Sequence, residues 1–200
     1  MPKSSSVDFK AVISGIVSAN ANVNDKYVSK YVALGYRTPS PEEIAVRRTA
    51  RHLKIPTADA IQKAAPEMAA LIDGPCWLVP VPASNGAITA NFALANAIAA
   101  LVAGARVKCA VGRTNPVESS NRRRWRGLLG LTVAEHAIIR TVGPLEPLPV
   151  YFIDNVITTG TTIEACRCAL GWGTGLTYAD ASTRKTLVAN VFTKTAKLGV

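Results

Sequence analysis

An α/β fold, a doubly wound and mainly parallel sheet with an N-terminal helical appendage, is predicted by three features of this sequence. From Trp77 onward, short apolar and β-branched runs alternate with helical patterns, as successive βαβ units require. Val150-Tyr151-Phe152-Ile153 is apolar without alternation, which fits a strand covered on both faces. Residues 1 to about 73 carry helix start and stop signals instead. The chain is therefore divided into an N-terminal helical segment, 1–74, packed on the core, and an α/β domain, 75–200. With 48% hydrophobic and 18% charged residues it can fill a core, and a disordered chain is excluded.

In the N-terminal segment, Ser40-Pro41-Glu42-Glu43 is a capping box with Pro at the first helical position. The helix it starts is expected to run to about Leu53 and to stop before Pro56. Thr57 caps a second helix through Ala65, and Pro66 opens a third that ends near Asp73-Gly74. Arg47, Arg48, Arg51 and Lys54 gather on or near the first helix. A solvated face is the ordinary role of such a run, with a nucleic-acid contact as the alternative. Val7 to Tyr36 carries no functional signal.

Cys76 to Pro82 reads as a strand that loses its pairing near Val79, because Pro80 and Pro82 cannot donate to a ladder. Ala83-Ser84-Asn85-Gly86 is the turn that follows. Ala87 to Ala105 has no charged residue. Thr89, Asn91 and Asn96, the high Ala content and a strand on each side favour a buried crossover helix over a membrane span. Gly104 ends it, and Arg106 to Val111 is the next strand. Gly112 to Gly130 shows no core periodicity but contains Arg113, Arg122, Arg123, Arg124 and Arg126. A loop of that length in a compact domain is usually a functional lid or disordered, and a solvated basic loop is the bland alternative. His136 to Thr141 is predicted as a strand, Gly143 to Pro149 as a linker, and Thr186 to Thr193 as the last strand.

The most informative stretch is Val150 to Thr162. Asp154 and Asn155 stand at the carboxyl end of the apolar strand. After Val156 and Ile157 comes Thr158-Thr159-Gly160-Thr161-Thr162, and a helix follows from about Ile163 to Leu170. Ligands of open α/β sheets sit beyond the carboxyl ends of strands. A helix start with free N–H groups, a Gly for close backbone approach and four Thr hydroxyls makes a phosphate cup. Asp154 and Asn155 are placed to hydrogen-bond vicinal hydroxyls of a sugar. The competing reading is a Thr-rich helix cap, but a cap needs one hydroxyl, not four.

This order of strand, paired polar step and Thr-Thr-Gly-x-Thr loop resembles the phosphoribosyl-pyrophosphate (PRPP) motif of the type I phosphoribosyltransferases. The Val-Pro-Val-Pro entry and the Arg-rich loop are most similar to the competence-type and amidophosphoribosyltransferase-like branches. The resemblance implies transfer of a phosphoribosyl group to a nitrogen acceptor, a nucleobase or amine, with release of pyrophosphate. Thr158, Thr159, Gly160, Thr161 and Thr162 would hold the 5-phosphate. Ala83, Ser84, Asn85, Gly86, Arg122, Arg123 and Arg124 would hold the pyrophosphate. Asp154, Asn155 and Arg113 would carry the catalytic step. Mg²⁺ would be bound largely through substrate oxygens, with Asp154 the protein candidate. Family members are commonly dimers, which implies a homodimer. One departure matters: the family usually has two adjacent carboxylates, and here the second is Asn155, whose amide brings no charge to a developing sugar cation. A rival class follows from it, a non-catalytic PRPP sensor or nucleic-acid-linked regulator of the same fold. The base-recognising hood is expected in the N-terminal helices or in Gly171 to Arg184.

The net charge of +10 suits a polyanionic substrate, nucleic acid or an acidic partner, with Trp125 a stacking candidate in the second case. The start leads into no signal-peptide pattern, and Cys76, Cys109, Cys166 and Cys168 have no zinc spacing. Free thiols in a reducing cytoplasm are expected. His52 and His136 lie far apart with no carboxylate or Cys cluster, so surface or satisfied structural roles are expected rather than metal ligation. There is no Gly-Lys-Ser/Thr step and no Gly-x-Ser-x-Gly elbow. Gly171-Trp172-Gly173-Thr174-Gly175 follows a helix and is not a dinucleotide fingerprint.

Overall fold

The computed structural model describes residues 25–30, 38–119, 122–123 and 126–181. Its elements are β1 (Lys26–Lys30), α1 (Pro41–His52), α2 (Ala58–Ala69), β2 (Trp77–Pro80), α3 (Thr89–Ala99), β3 (Arg106–Val107), β4 (Val111–Arg113), a 3₁₀ turn (Ala134–His136), β5 (Ile138–Arg140), β6 (Val150–Ile157), α4 (Thr161–Leu170) and β7 (Thr174–Asp180). Five strands form one parallel sheet in the order β1-β7-β6-β2-β3, and β4 pairs antiparallel with β5 beside it.

The unalternating run that predicted a doubly covered strand is β6, at the centre of the sheet with Val150 to Ile153 all buried. Tyr151 and Ile153 face one side with Leu78, Leu176 and Tyr178, against Leu53, Met68, Leu94 and Ile98 of the α1, α2 and α3 layer. Val150 and Phe152 face the other, with Val79, against Val111 and the α4 residues Ile163, Cys166 and Leu170. Each large side chain sealed this way contributes about 1.5–3 kcal/mol. Helices thus cover both faces, as a parallel sheet needs.

The N-terminal segment differs from the expected appendage. The capping box forms: Glu43 N–H donates to Ser40 Oγ at 3.3 Å and Ser40 N–H to Glu43 Oε2 at 2.9 Å. But Ala50, Leu53, Ala64 and Met68 share one core with β2, β6 and β7, and β1 is an edge strand in parallel register with β7. A boundary at Gly74 therefore cuts through a single core. Asp25 anchors that edge, accepting from Arg167 Nη2 at 2.6 Å and Gly175 N–H at 2.8 Å. Pro66 does not open a third helix; it lies inside α2. An interior Pro costs about 3 kcal/mol, and the burial of Ala64, Ala65 and Met68 around it offsets that.

Two strand expectations are also revised. Arg106 to Val111 is not one strand, because Thr141 takes the chain away: its N–H donates to Ala110 O at 3.0 Å and its Oγ1 to Cys109 O at 2.8 Å. That pairing builds the β4–β5 hairpin. Residues 174–180, offered above as hood, form the buried strand β7. The glycines that obscured it are required by close packing: a Cβ on Gly173 would lie 2.5 Å from Phe152, and one on Gly175 2.7 Å from Ile163. The strand expected at Thr186 to Thr193 lies outside the described residues.

Among the described residues no helix is long and apolar enough to cross a membrane; α3, in the uncharged stretch, is 11 residues long. The four cysteines are free, Cys76 and Cys166 buried, Cys109 half-buried and Cys168 exposed.

Candidate functional site

Strand order places the site. From β2 the chain turns through α3 to β3 on one side, and from β6 it turns through α4 to β7 on the other. The carboxyl ends of β2 and β6 are therefore the topological switch point, where a crevice opens. The last rung between them is Val81 N–H to Ile153 O at 3.0 Å. Pro82 has no N–H, and from Asp154 onward β6 pairs only with β7.

Asp154 stands where the two strands part. Its Oδ1 accepts from its neighbour's N–H, that of Asn155, at 2.8 Å and from Asn91 Nδ2 at 3.2 Å. The same Asn91 amide donates to Val81 O at 2.8 Å, so it pins the carboxylate to the end of β2. Oδ2 takes no hydrogen bond among the described residues and is not sealed from solvent. Burial pushes the Asp154 carboxyl above its usual value; the hydrogen bonds from Asn155 and Asn91 and the charges of Lys54 and Arg113 oppose that. Asn155, expected beside it on the sugar, points elsewhere: it is buried, and its Nδ2 donates to Ala50 O of α1 at 2.9 Å. Adjacent strand residues face opposite sides, which separates the pair.

Beyond β6, Gly160 adopts φ 77° and caps α4 with no side-chain hydrogen bond. Thr159 Oγ1 accepts from the Thr161 N–H at 3.5 Å, a single long bond of the kind the helix-cap reading expects. The first-turn N–H groups of α4 have no intrahelical acceptor and point at the crevice end. Thr159 Oγ1 and Thr161 Oγ1 are 2.9 Å apart, and Thr158 and Thr162 are half-buried beside them.

Beyond β2, the Ala83–Gly86 turn is closed internally. Ala83 N–H donates to Ala87 O at 2.8 Å, Gly86 N–H to Ala83 O at 2.9 Å, and Ala87 N–H to Asn85 Oδ1 at 3.1 Å. Of the four N–H groups expected to serve an anion, those of Ser84 and Asn85 alone have no acceptor among the described residues.

Arg113, at the end of β4, joins the two loops. Its Nε donates to Ala83 O at 2.8 Å, its Nη1 to His136 O, and both terminal nitrogens lie 3.4 Å from His136 Nδ1. Burial lowers its affinity for its proton, with Cys166 and Asp154 opposing. His136 Nε2 is 3.0 Å from Thr161 Oγ1. The imidazole is 2% exposed, and burial, helped by the Arg113 charge, holds it down at about 4. Cys166, on the floor of the site, is pushed up to about 12 by burial and by Asp154, so it is an unreactive thiol.

The arrangement thus unites Asp154, the Thr158–Thr162 loop, the Ala83–Gly86 turn and Arg113. Asn91 and His136 join them, which no sequence signal had marked as functional. Elsewhere in the basic loop, Arg123 Nε donates to Leu129 O at 2.8 Å, Arg126 is exposed and pairs with Glu118 at 3.2 Å, and Arg122 is exposed. Arg124 and Trp125 lie outside the described residues. No cluster of three His, Cys, Asp or Glu side chains capable of holding a metal exists among the described residues. No protein-family model, curated protein or solved structure matches this chain.

Proposed function

We propose that this protein binds PRPP with Mg²⁺ and transfers the phosphoribosyl group to a nitrogen acceptor. The observation that carries the reading is the switch-point crevice itself. Two loops with unspent N–H groups flank it, Arg113 bridges them, and a carboxylate oxygen is left open between them. A sugar with a phosphate at one end and a pyrophosphate at the other matches that spacing of charge. On this reading the Thr158–Thr162 loop and the α4 amino terminus take the 5-phosphate. Ser84, Asn85 and the Arg113 guanidinium take the pyrophosphate. The donors suit Mg²⁺ held mainly by substrate oxygens, with Asp154 Oδ2 the one open carboxylate oxygen at the switch point. Bound there, the metal would neutralise pyrophosphate charge.

The acceptor nitrogen supplies the electron pair that forms the bond to C1, and the C1–O pair leaves with pyrophosphate. An N–H acceptor then sheds its proton to solvent. Cationic charge developing on the sugar is met by Asp154 alone, since Asn155 is neutral and occupied by Ala50. With β7 buried, the acceptor side falls to the carboxyl end of α1, whose Ala50 and Lys54 border the site.

The test is pyrophosphate release from Mg²⁺-PRPP with a panel of nucleobases and ammonia, together with calorimetric binding of PRPP. Acceptor-dependent release is expected and would name the substrate. Binding without release would indicate a sensor, and absence of both would remove the reading.

A second reading is favoured by a different surface. Ile44, Arg47, Arg48, Arg51, His52, Ile55 and Thr57 line an open groove of about 680 Å³ along α1. Among the described residues none of its arginines pairs with a carboxylate. Unpaired cations between apolar walls suit single-stranded nucleic acid, the regulator reading.

A further inference from the structure

We propose that His136 is a positioning residue that sets the hydroxyls of the phosphate loop as donors and couples that loop to Arg113. The inference rests on the PRPP reading of the site and adds a directional chain running through it.

A guanidinium has N–H donors and no lone pair to accept with. Two of its nitrogens stand 3.4 Å from Nδ1 of His136, so an N–H on Nδ1 would face N–H groups. The ring proton therefore sits on Nε2, which lies 3.0 Å from Thr161 Oγ1 and donates to it. Thr161 then has its own proton to give, and Thr159 Oγ1 lies 2.9 Å away to receive it. Thr159, exposed at the loop, is left as the outward donor. Each proton in the series thus runs from the ring toward the outer rim of the loop, and each donor is strengthened by the one behind it.

The surroundings hold this state. The ring is buried, and its charged neighbours are Arg113 and Glu135, of which Arg113 has the greater effect on its proton. Ala137, next in the chain, adopts φ 51°, an uncommon conformation for a residue with a Cβ. It carries two contacts that fix the hairpin next to the ring, accepting from Thr114 N–H at 3.0 Å and Thr114 Oγ1 at 3.4 Å. The same guanidinium reaches Ala83 O, so a pyrophosphate that engages Arg113 acts on Thr161 through one imidazole. The two ends of the crevice thereby communicate without direct contact.

The probes are ribose 5-phosphate and pyrophosphate, measured by calorimetry singly and together, with the full chain. In the native protein each ligand is expected to change the affinity for the other. His136→Phe keeps a ring and removes both contacts; it should weaken ribose 5-phosphate about tenfold, the order of one hydrogen bond to a charged group, and abolish the coupling. His136→Gln retains one acceptor and one donor and should restore most of both. Thr161→Val breaks the same chain one link beyond the imidazole and serves if the Phe variant does not fold; it should also uncouple the ligands. In ¹⁵N NMR the resonance lost in His136→Gln should show a neutral ring with its proton on Nε2, unchanged between pH 5 and 8. Equal ribose 5-phosphate affinity in all variants, or a Gln variant as weak and uncoupled as Phe, overturns the inference. A native protein that binds no ribose 5-phosphate overturns the phosphate-loop reading beneath it.

Discussion

A carboxylate that burial holds above its usual protonation range is costly to the fold. Asp154 is such a group, and its raised value means that the folded chain binds a proton more readily than the unfolded one. Its contribution to stability is therefore present at low pH and lost as pH rises through its folded value. Asp154→Asn keeps an acceptor for Asn91 and for the residue 155 N–H while removing the charge. We expect the variant to melt at higher temperature than the native protein at pH 7 and to lose binding of ribose 5-phosphate with Mg²⁺, read by calorimetry in parallel. His136 acts in the opposite sense. Its folded value, about 4, lies below the 6.5 of a free imidazole, so stability is complete above about pH 6.5 and falls as pH drops toward 4. The loss amounts to about 3 kcal/mol across that window. Denaturant unfolding at pH 7 and pH 5 should show this acid limb, and His136→Gln should flatten it. Asp154, the loop Thr158–Thr162 and Arg113 could be read from the chain because motif residues lie together or beside a basic run. Asn91 and His136 could not. They reach the site from 63 and 25 residues away, through contacts only the fold creates.

At the level of elements, the α4 amino terminus begins at a glycine in the left-handed region. Gly160 holds φ 77° at the N-cap position and offers no side-chain cap; the first turn has one long side-chain contact, Thr161 N–H to Thr159 Oγ1 at 3.5 Å. Gly160→Ala forces a residue with a Cβ into the left-handed region, at about 1–2 kcal/mol. If the helix start serves an anion, the variant should lose affinity for ribose 5-phosphate by more than its loss of stability explains. Thermal unfolding with and without 10 mM ligand separates the two. Elements were legible where local signals and tertiary packing agree, as in the capping box of α1 and the apolar run of β6. They were hidden where packing overrules the local signal. Gly173 and Gly175 weaken strand propensity yet are the residues that fit beneath Phe152 and Ile163. Pro66 reads as a break and is carried inside α2 by its buried neighbours. β1 gave no strand signal in its short run, and its place at the edge depends on Asp25 and Arg167 meeting across 142 residues.

At the scale of the whole molecule, which carries a net charge of +10, two basic features of the described residues have different consequences. Arg113 is half-buried in the crevice, where it is tied to Ala83 O and His136 O. Arg47, Arg48, Arg51 and His52 line an outer groove on α1, opposite the face that packs Ala50 and Leu53 into the core. If that groove takes single-stranded nucleic acid, affinity for a short labelled oligonucleotide should fall steeply with salt, because bound cations displace counterions. Each phosphate contact adds about 0.7 to the slope of log affinity against log salt for a single strand. The double variant Arg47→Glu, Arg51→Glu should lower the affinity at 50 mM salt and reduce that slope by about 1.4, the loss of two contacts. PRPP binding should persist, because neither side chain takes part in the hydrogen-bonded crevice formed by Asp154, Arg113 and His136. Oligonucleotide binding that is weak in the native protein, or unchanged in the double variant, would assign the groove to solvent. The charge excess would then belong to the anionic small-molecule site and to the remaining solvated surface. Joint loss of PRPP and oligonucleotide binding in the double variant would instead join the two surfaces, with α1 as the link through Ala50 and Asn155.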